Sequence, residues 1–216
     1  MGETMAGGNL GAYNIEDLRQ MAKKRLPRGV FEYVDRGAED EIALRHNRDV
    51  YQSLKLRNRV MVDVSKRSTA TEIFGQKITM PYGISPTASA GLMCEGGEVG
   101  LARAASRMGV PCTAATNSLT PVDAIYEASE GNTWFQLYMW KDLGLRAAFV
   151  ERIKAVGVGT LLVTVDGSVG ANREHDRKNG YSMPLRYSPK LIAQVLANPG
   201  WCLRVLAPQY LKRGVF

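Results

Sequence analysis

Short apolar runs alternate with helical patterns along the middle of the chain. Four runs have the length of buried strands, at 82–85, 112–116, 134–138 and 161–165. Helical periodicity follows each of the first three runs, at about 98–108, 122–129 and 143–156. Apolar runs of this length with helices between them are typical of βαβ units, whose parallel strands are buried on both faces. The pattern predicts an α/β fold with four parallel strands, followed after the fourth by a long irregular stretch.

The region before these units is predicted to be mainly helical. Asn14 is a residue type that caps helix N-termini, and Pro27 interrupts the helix that follows it. A second helix is expected to end at Gly37 and a third, rich in charge, to span about 38–54. The second helix places three apolar residues on one side: Val30, Phe31 and Val34. Segments 69–74 and 77–80 flank Gly75-Gln76, which predicts a β-hairpin.

Four βα units fit either an open doubly wound sheet or half of an eight-stranded barrel. A doubly wound nucleotide-binding fold needs a glycine-rich phosphate loop after its first strand. Here that segment, SPTASAGLMCEGGEVG, matches neither G-x-G-x-x-G nor G-x-x-x-x-G-K-[ST]. The absence favours the N-terminal half of a (β/α)8 TIM barrel, preceded by a helical segment and a short β-hairpin.

The predicted organisation has a flexible N-terminus and one partial domain. Residues 1–12 are glycine-rich and are expected to be flexible, and residues 13–216 form the partial domain. Within it we expect three parts: a helical and hairpin lead-in at 13–80, the first four barrel strands at 81–180 and a basic amphipathic loop segment at 181–216.

Polar residues occur where each apolar run stops. The four strand ends are Ser85-Pro86-Thr87-Ala88, Ala115-Thr116-Asn117-Ser118, Gln136-Leu137-Tyr138 and Thr164-Val165-Asp166. In a βα barrel the carboxyl ends of the strands form the active site, and these groups suit a polar, planar ligand. Each threonine or asparagine alone could instead cap the following helix. Four successive strand ends that share the feature favour ligand binding.

Composition narrows the class of protein. Hydrophobic residues make up 45% and charged residues 23% of the 216, which are values of a globular protein. The three cysteines are widely spaced without a CxxC pair, so we expect reduced thiols, no metal site and a cytoplasmic location. We also expect no signal peptide and no membrane span, because no leader or apolar stretch of about 20 residues is visible.

The net charge of +7 is concentrated near the end of the chain. Residues 171–216 contain eight basic and two acidic residues, an excess of six positive charges. Apolar residues at helical spacing and Trp201 accompany these charges, which is typical of a segment that binds a membrane surface. Packing of this segment on the barrel or on a neighbouring subunit is the main alternative, and nucleic acid is disfavoured.

Four segments carry a specific resemblance. LPRGVFEYVDRGAEDE at 26–41, MPYGISPTA at 80–88, WFQLYMWKD at 134–142 and TVDGSVGANREHDRKN at 164–179 resemble landmarks of the FMN-dependent 2-hydroxy acid oxidases and dehydrogenases. The likeness extends over about 13–190, in order and with matching spacing, and corresponds to the N-terminal half of the family's domain. It implies FMN-dependent oxidation of an L-2-hydroxy acid, lactate-like or mandelate-like, to the 2-keto acid.

The resemblance also implies partners and a location. The electron acceptor would be a quinone, a cytochrome or oxygen, and the full-length protein would be a homotetramer. Bacterial members have a membrane-associating segment at the position of 181–216, which places the protein in the cytoplasm or on the inner face of the plasma membrane.

Site residues follow from the resemblance by position. Pro86, Thr87 and Ala88 would lie against the flavin, and Gln136 and Thr164 would bind its pyrimidine edge. The substrate would be held by a carboxylate-binding set comprising Tyr33, Tyr138 and Arg173. A flavin needs hydrogen-bond partners that orient and tune it, and a guanidinium is the best partner for a carboxylate.

One position departs from the family pattern. Family members commonly have a serine that contacts the flavin where this chain has Ala115. Either Thr116 supplies the missing hydrogen bond or the flavin affinity and redox potential differ.

The base needed for oxidation of the hydroxy acid is not recognisable in this chain. A histidine commonly fills this role, and the chain has only His46 and His175. We expect His46 on a helix surface and His175 in a solvated loop. Neither matches the family's catalytic histidine, which belongs to a later strand. The chain alone is therefore expected to be inactive, and poorly soluble because its fourth strand is an apolar edge.

Two other functions remain open at this point. The chain could be a non-catalytic fragment that binds flavin weakly or serves as an interaction module. It could also be an unrelated flavin barrel, such as an isomerase that uses reduced FMN. Tyr33, Tyr138 and Arg173 favour the hydroxy acid enzyme, provided that they meet beside the mouths of the parallel strands.

Overall fold

The computed structural model describes residues 11–165, 169–182, 186 and 188–213. Of Lys212 and Arg213 it describes the backbone alone. The described residues form two compact units, one from Met1–Arg45 with Ala171–Phe216 and the other from His46–Gly170. Most of the predicted flexible N-terminus lies outside the described residues, and so does Asp166.

The second unit contains a parallel sheet with helices between its strands. Its strands are β3 (Cys112–Ala115), β4 (Thr133–Tyr138) and β5 (Leu161–Thr164), paired in that order and all parallel. The intervening helices are α4 (Gly97–Met108), α5 (Val122–Ala128) and α6 (Leu143–Val156). The predicted α/β class is confirmed, and each of these elements begins and ends within one residue of its predicted position.

The first predicted strand, 82–85, is reduced to a single parallel bridge between Ile84 and Cys112. Ile84 N–H donates to Pro111 O, and Thr113 N–H donates to Ile84 O. Pro81 and Pro86 lie on either side of this residue. Proline has no N–H to contribute to a ladder, so pairing cannot extend far in either direction. The prediction of four full parallel strands is therefore wrong for the described residues, which form three parallel strands.

The core of this unit lies between the sheet and its helices. Buried members include Ala102 and Ala105 of α4, Ile125 of α5, Phe135 of β4 and Ile153 of α6. The small residues on α4 let that helix approach the sheet closely. Burial of the strand side chains on this face fixes the register, because a shift of one residue would reverse every side chain.

A hairpin precedes the sheet in the chain. It consists of β1 (Thr71–Ile73) and β2 (Gln76–Ile78), antiparallel to each other. The connecting residues Phe74 and Gly75 both have positive φ, 52° and 78°. Two successive positive φ angles are typical of the type I′ turn, whose twist matches that of paired strands. The predicted hairpin is confirmed, with its turn one residue earlier.

The first unit is helical. Its N-terminal helices are α1 (Ile15–Arg25) and α2 (Arg28–Asp35), and α3 (Ile42–Ser53) continues into the second unit. Asn14 caps α1 as predicted, accepting a hydrogen bond from the Asp17 N–H at 2.8 Å. The predicted helix at 38–54 begins only at Ile42, because Glu39 and Glu41 have positive φ angles of 48° and 58°.

Helix α2 differs from the prediction in two ways. It ends at Asp35 and not at Gly37, because Arg36 has an extended backbone. Of the three apolar residues that were predicted to lie on one side, Val30 and Phe31 are buried but Val34 is 58% exposed.

Further helices make up the rest of this unit. They are α7 (Glu174–Asn179), α8 (Pro189–Leu196), α9 (Pro199–Trp201), a π-helical turn at Cys202–Leu206 and α10 (Ala207–Arg213). The irregular stretch expected after the fourth strand therefore contains α7, which no apolar periodicity indicates. Trp201 is only 5% exposed and packs inside this unit, so it does not serve as the exposed membrane residue that the sequence suggested.

Candidate functional site

The ends of the three parallel strands share a buried polar group, Gln136, on β4. Its side-chain amide donates from Nε2 to Thr164 Oγ1 at 2.7 Å, and its Oε1 accepts from the Thr116 N–H at 3.1 Å. Gln136 is 5% exposed. The structure thus brings Gln136 and Thr164 together, and we call Thr116, Gln136 and Thr164 the strand-end cluster. One amide joins the carboxyl ends of β3, β4 and β5.

The Thr116 hydroxyl is already engaged within this cluster. It donates to the Gln136 backbone carbonyl at 2.6 Å and accepts from the Tyr138 N–H at 3.1 Å. A hydroxyl has one hydrogen to donate, so Thr116 keeps none for a flavin while these bonds stand. Ala115 beside it is 5% exposed and has no polar side chain. A hydrogen bond from Thr116 in place of the family's serine is therefore disfavoured.

The segment Pro86-Thr87-Ala88 lies next to the bridge at Ile84. Pro86 and Thr87 are exposed and Ala88 is partly buried. The following residue, Ser89, is completely buried, has a positive φ of 56° and donates its N–H to Asn117 O at 3.2 Å. This bond ties the exposed segment to the loop that follows β3. The exposed residues Pro86 and Thr87 leave this segment accessible to a ligand.

The loop after β3 is fixed by a carboxylate that the sequence reasoning missed. Glu98 of α4 is 4% exposed, and it accepts from the Leu119 N–H at 3.2 Å and from Thr120 Oγ1 at 3.0 Å. Nothing in the local sequence distinguishes Glu98 from a surface residue at a helix N-terminus. Its partners lie more than twenty positions further along the chain.

The first unit holds a second polar group, centred on Arg173. Arg173 Nε donates to Asp176 Oδ2 at 2.8 Å, and Nη2 donates to the Tyr33 backbone carbonyl. The guanidinium carbon lies 4.8 Å from the centroid of the Tyr33 ring, and the Tyr181 ring lies 4.8 Å from the same centroid. The structure therefore brings Tyr33 and Arg173 together. We call Tyr33, Arg173, His175, Asp176 and Tyr181 the arginine cluster.

His175 does not lie in a solvated loop as predicted. It belongs to α7, is 8% exposed, and its Nε2 lies 3.4 Å from Arg173 Nη2 and 3.3 Å from Asp176 Oδ1. Of the charged residues around it, Arg173 pairs with Asp176 at 2.8 Å and Lys178 with Glu174 at 3.3 Å. His46 lies exposed on α3, as predicted.

Tyr181 and Asp176 are the members of this cluster that the sequence reasoning missed. Burial raises the pKa of the Tyr181 phenol well above the usual value, and the nearby Tyr33 and Asp176 raise it further. The ring is 4% exposed. A phenol in this setting stays neutral at physiological pH and acts as a packing surface for Tyr33.

The remaining predicted substrate residue, Tyr138, ends β4 in the second unit and is 38% exposed. Tyr33 and Arg173 thus belong to one unit, while Tyr138, Gln136, Thr164 and Pro86-Thr87-Ala88 belong to the other. Residues 11–165, 169–182, 186 and 188–213 include no cluster of three or more potential metal ligands. None of the helices described there has the length and hydrophobicity needed to cross a bilayer.

The strand-end cluster fits the requirements of FMN. The pyrimidine edge of a flavin carries carbonyl oxygens and an N–H, which need amide and hydroxyl partners. Gln136 uses only one of its two amide hydrogens for Thr164, and Thr164 Oγ1 accepts that bond and keeps its own hydrogen to donate. These groups would hold the ring, and the exposed residue Thr87 would lie beside it.

Comparison with known proteins gives the family. Residues 22–214 match the family model described as FMN-dependent dehydrogenase. The chain is 36% identical to (S)-mandelate dehydrogenase of Pseudomonas putida over 88% of its own length and 48% of that protein. It is 40% identical to L-lactate dehydrogenase of Vibrio parahaemolyticus over 88% of its length and 50% of that protein. The chain spans about half the length of these curated relatives.

Solved structures agree with this assignment. The crystal structure of the monotopic membrane protein (S)-mandelate dehydrogenase superimposes with a TM-score of 0.82 at 34% identity, covering 94% of this chain and 53% of that one. The structure of mandelate oxidase gives a TM-score of 0.74 at 30% identity, covering 79% and 50%. FMN is the cofactor of the matched family, as the resemblance in sequence implied. The chain belongs to the FMN-dependent dehydrogenase family.

Proposed function

We propose that this chain is the N-terminal half of the (β/α)8 barrel of an enzyme that oxidises an L-2-hydroxy acid to the 2-keto acid with FMN. The observation that carries the proposal is the pair of polar clusters. One lies at the ends of parallel strands and suits a flavin, and the other presents an arginine beside a tyrosine and suits a carboxylate. The relatives named for mandelate and lactate favour substrates of that size and charge.

The second unit would bind the cofactor. Gln136 and Thr164 would hold the pyrimidine edge, and Pro86, Thr87 and Ala88 would lie along the ring. Bound FMN supplies the acceptor for the two electrons that leave the substrate. The protein's part is to orient the ring and to set the hydrogen bonds to its polar edge. Thr116 donates its hydroxyl hydrogen to Gln136, and Ala115 has no hydroxyl. The edge of the flavin near β3 would therefore receive fewer hydrogen bonds than in other family members.

The arginine cluster would bind the substrate carboxylate. Arg173 uses Nε for Asp176 and one Nη2 hydrogen for Tyr33, which leaves the hydrogens on Nη1 for a carboxylate oxygen. The Tyr33 hydroxyl would donate to the same carboxylate, and the Tyr138 hydroxyl would bind the substrate from the strand ends. A charge-assisted pair with a guanidinium is stronger and more directional than one with a lysine.

The base that takes the substrate's proton would come from the remainder of the protein. His46 is exposed on α3, and His175 is buried against Arg173 and Asp176. We therefore propose that residues 1–216 alone do not catalyse the reaction. Leu161 and Val163 of β5 are 39% and 51% exposed, so the isolated chain would also associate through this edge.

The segment 181–216 would attach the protein to a membrane surface. Apolar side chains remain exposed along α8 to α10 after Trp201 is buried: Ile192, Leu196, Leu203, Tyr210 and Leu211. Basic residues accompany them, among them Lys190 and Arg204. The structural relative described as monotopic supports this proposal. The protein would then lie in the cytoplasm, on the inner face of the plasma membrane, as a homotetramer that passes electrons to a quinone, a cytochrome or oxygen.

A second candidate is a non-catalytic module that binds flavin weakly. It is favoured by the surroundings of the two histidines, since His46 is exposed on α3 and His175 is buried against Arg173 and Asp176. The two candidates differ in whether the full-length protein turns over substrate.

The experiment is purification of the full-length protein that carries this chain, followed by assay of bound flavin and of 2-keto acid formed from L-lactate and L-mandelate. We expect about one FMN per chain and stereospecific oxidation of one of these acids. Gln136→Leu should lower the flavin content, because it removes the amide that joins the three strand ends. Gln76→Leu is the matched control, since Gln76 lies in the hairpin and binds Trp134 Nε1 at 2.8 Å. Flavin that is fully retained in Gln136→Leu, or absent from the wild type, would contradict the proposal.

A further inference from the structure

Asp176 belongs to the arginine cluster, and the roles proposed above assign it no contact with the substrate or the flavin. Its side chain is 16% exposed, and Oδ2 accepts from Arg173 Nε at 2.8 Å. The other oxygen, Oδ1, is buried and faces His175 Nε2 at 3.3 Å. A carboxylate removed from water at this position must be balanced by its neighbours, and Arg173 provides the opposite charge.

The bond from Nε controls the direction of the whole guanidinium group. Nε is the nitrogen nearest the side-chain stem, so a partner there fixes the rotation of the planar fork about that stem. The Tyr33 carbonyl holds Nη2, and the Tyr33 ring lies under the guanidinium carbon at 4.8 Å. With these three contacts in place, the Nη1 hydrogens point in one direction only.

Asp176 also supports the second aromatic ring of the cluster. Its backbone carbonyl accepts the Tyr181 N–H at 2.9 Å, and the Tyr181 ring packs on Tyr33 at 4.8 Å between centroids. The side chain of Asp176 therefore orients Arg173, and its backbone holds the ring that packs against Tyr33. Only the contact with Arg173 depends on the carboxylate, because any residue at this position has a backbone carbonyl.

We propose that Asp176 is a positioning residue for substrate recognition, which aims the Arg173 guanidinium at the substrate carboxylate. The inference rests on the proposed function, because it takes Arg173 as a carboxylate-binding residue. It goes beyond that function by assigning the orientation of Arg173 to a residue that does not touch the substrate.

An electrostatic role and a positioning role for Asp176 predict opposite effects of its removal on substrate binding. As an anion beside Arg173, Asp176 repels a substrate carboxylate, so its removal would tighten substrate binding if charge alone mattered. If Asp176 aims the fork, its removal loosens Arg173 and weakens substrate binding. The direction of the change in KM therefore separates the two.

The test uses steady-state kinetics of the full-length, FMN-loaded protein. Asp176→Ala should raise KM for the L-2-hydroxy acid about 10- to 100-fold, the cost of misplacing a binding group by about 1 Å. Asp176→Asn should raise it less, because the amide oxygen still accepts from Nε. Glu174→Gln is the matched control on the same helix, since Glu174 is 58% exposed and pairs only along the surface with Lys178 at 3.3 Å. It should leave KM within about twofold of the wild-type value, as an exposed pair contributes little.

A second readout separates aiming from general damage to the fold. The change in the flavin absorbance spectrum measures the binding of two ligands. One is the 2-keto acid product, and the other is the primary alcohol that has the structure of the substrate without its carboxylate. Asp176→Ala should weaken binding of the keto acid and leave binding of the alcohol unchanged. If Asp176→Ala does not fold with FMN, Asp176→Asn decides the question by the same pair of ligands.

An unchanged or lower KM in the folded Asp176 variants, or equal loss of both ligands, would overturn this inference while leaving the proposed function standing. A wild-type protein that oxidises no L-2-hydroxy acid would overturn the proposed function, and this inference with it. The two failures are therefore distinguishable.

Discussion

At the scale of single residues, the distance between partners along the chain decides what the sequence can predict. Asn14 was predicted as a helix cap because its partner, the Asp17 N–H, lies three residues away. His175 was predicted wrongly, and Asp176 was missed, because the cluster that surrounds them includes Tyr33, which lies 140 positions from Arg173. The resemblance to a family supplied Tyr33 and Arg173. It did not supply the residues that orient them.

The ion pair between Arg19 of α1 and Asp35 of α2 gives a prediction about pH. Arg19 Nη2 donates to Asp35 Oδ2 at 2.8 Å, and Nε donates to Oδ1. Hydrogen bonding from Arg19 lowers the pKa of Asp35 below its ordinary value of 3.8, against the opposing effect of burial. A carboxyl whose pKa is lowered by folding stabilises the protein above its unfolded pKa, and that stability is lost as the pH falls through the folded value.

Asp35→Asn should therefore reduce the free energy of unfolding at pH 7 by about 0.5–1 kcal/mol, the range for a pair with one exposed partner. The difference from the wild type should shrink below about pH 4, where the carboxyl becomes protonated in the unfolded chain. Urea unfolding at pH 7 and pH 3 measures both the loss of unfolding free energy and its decrease in acid. Asp123→Asn is the control, because Asp123 is 64% exposed and lies 3.9 Å from Arg152. A difference that grows in acid would contradict this explanation.

At the scale of helices and strands, periodicity predicted the elements that are buried in a regular way. Helices α4 to α6 and strands β3 to β5 were located within about one residue, because burial and periodicity coincide in them. The length of the strand near Ile84 was overestimated, because the apolar run alone does not show that the prolines on both sides limit its pairing. Helix α7, EHDRKN, was missed because its buried members are His175 and Asn179, and neither gives an apolar signal.

The helices α8 to α10 carry the prediction about membranes. Leu203 is 72% exposed in the π-helical turn and is followed by Arg204, whereas Trp201 and Val205 are buried. If this surface enters the headgroup region, Leu203→Glu should lower the partition of the full-length protein onto vesicles containing phosphatidylserine about tenfold, because a buried leucine contributes about 1.5–3 kcal/mol.

Co-sedimentation with these vesicles measures the effect, and vesicles of phosphatidylcholine alone test the part played by charge. Leu145→Glu is the matched control, because Leu145 is 63% exposed on α6 in the other unit. Binding to phosphatidylserine vesicles should weaken at high salt, since the basic residues are screened. Equal loss of vesicle binding in both variants, or no vesicle binding by the wild-type protein, would contradict the proposal that the segment 181–216 binds a membrane.

At the scale of the whole molecule, the sequence indicated the α/β class and, through the resemblance, the family. The three described parallel strands with α4 to α6 agree with half of a barrel. Closure of the barrel remains part of the proposal. The exposed Leu161 and Val163 of β5 are the feature that a further strand would cover. The strand-end cluster lies in one unit and the arginine cluster in the other, and the proposed function assigns the flavin to the first and the substrate carboxylate to the second.

The most direct test is a crystal structure of the full-length protein with FMN and a 2-keto acid bound. We expect the pyrimidine edge of the ring within about 3.2 Å of the Gln136 amide and the Thr164 hydroxyl, the ordinary reach of a hydrogen bond. We expect the ligand carboxylate at the same distance from Arg173 and from the Tyr33 hydroxyl. A flavin bound away from the ends of β3 to β5, or a carboxylate held without Arg173, would contradict the account.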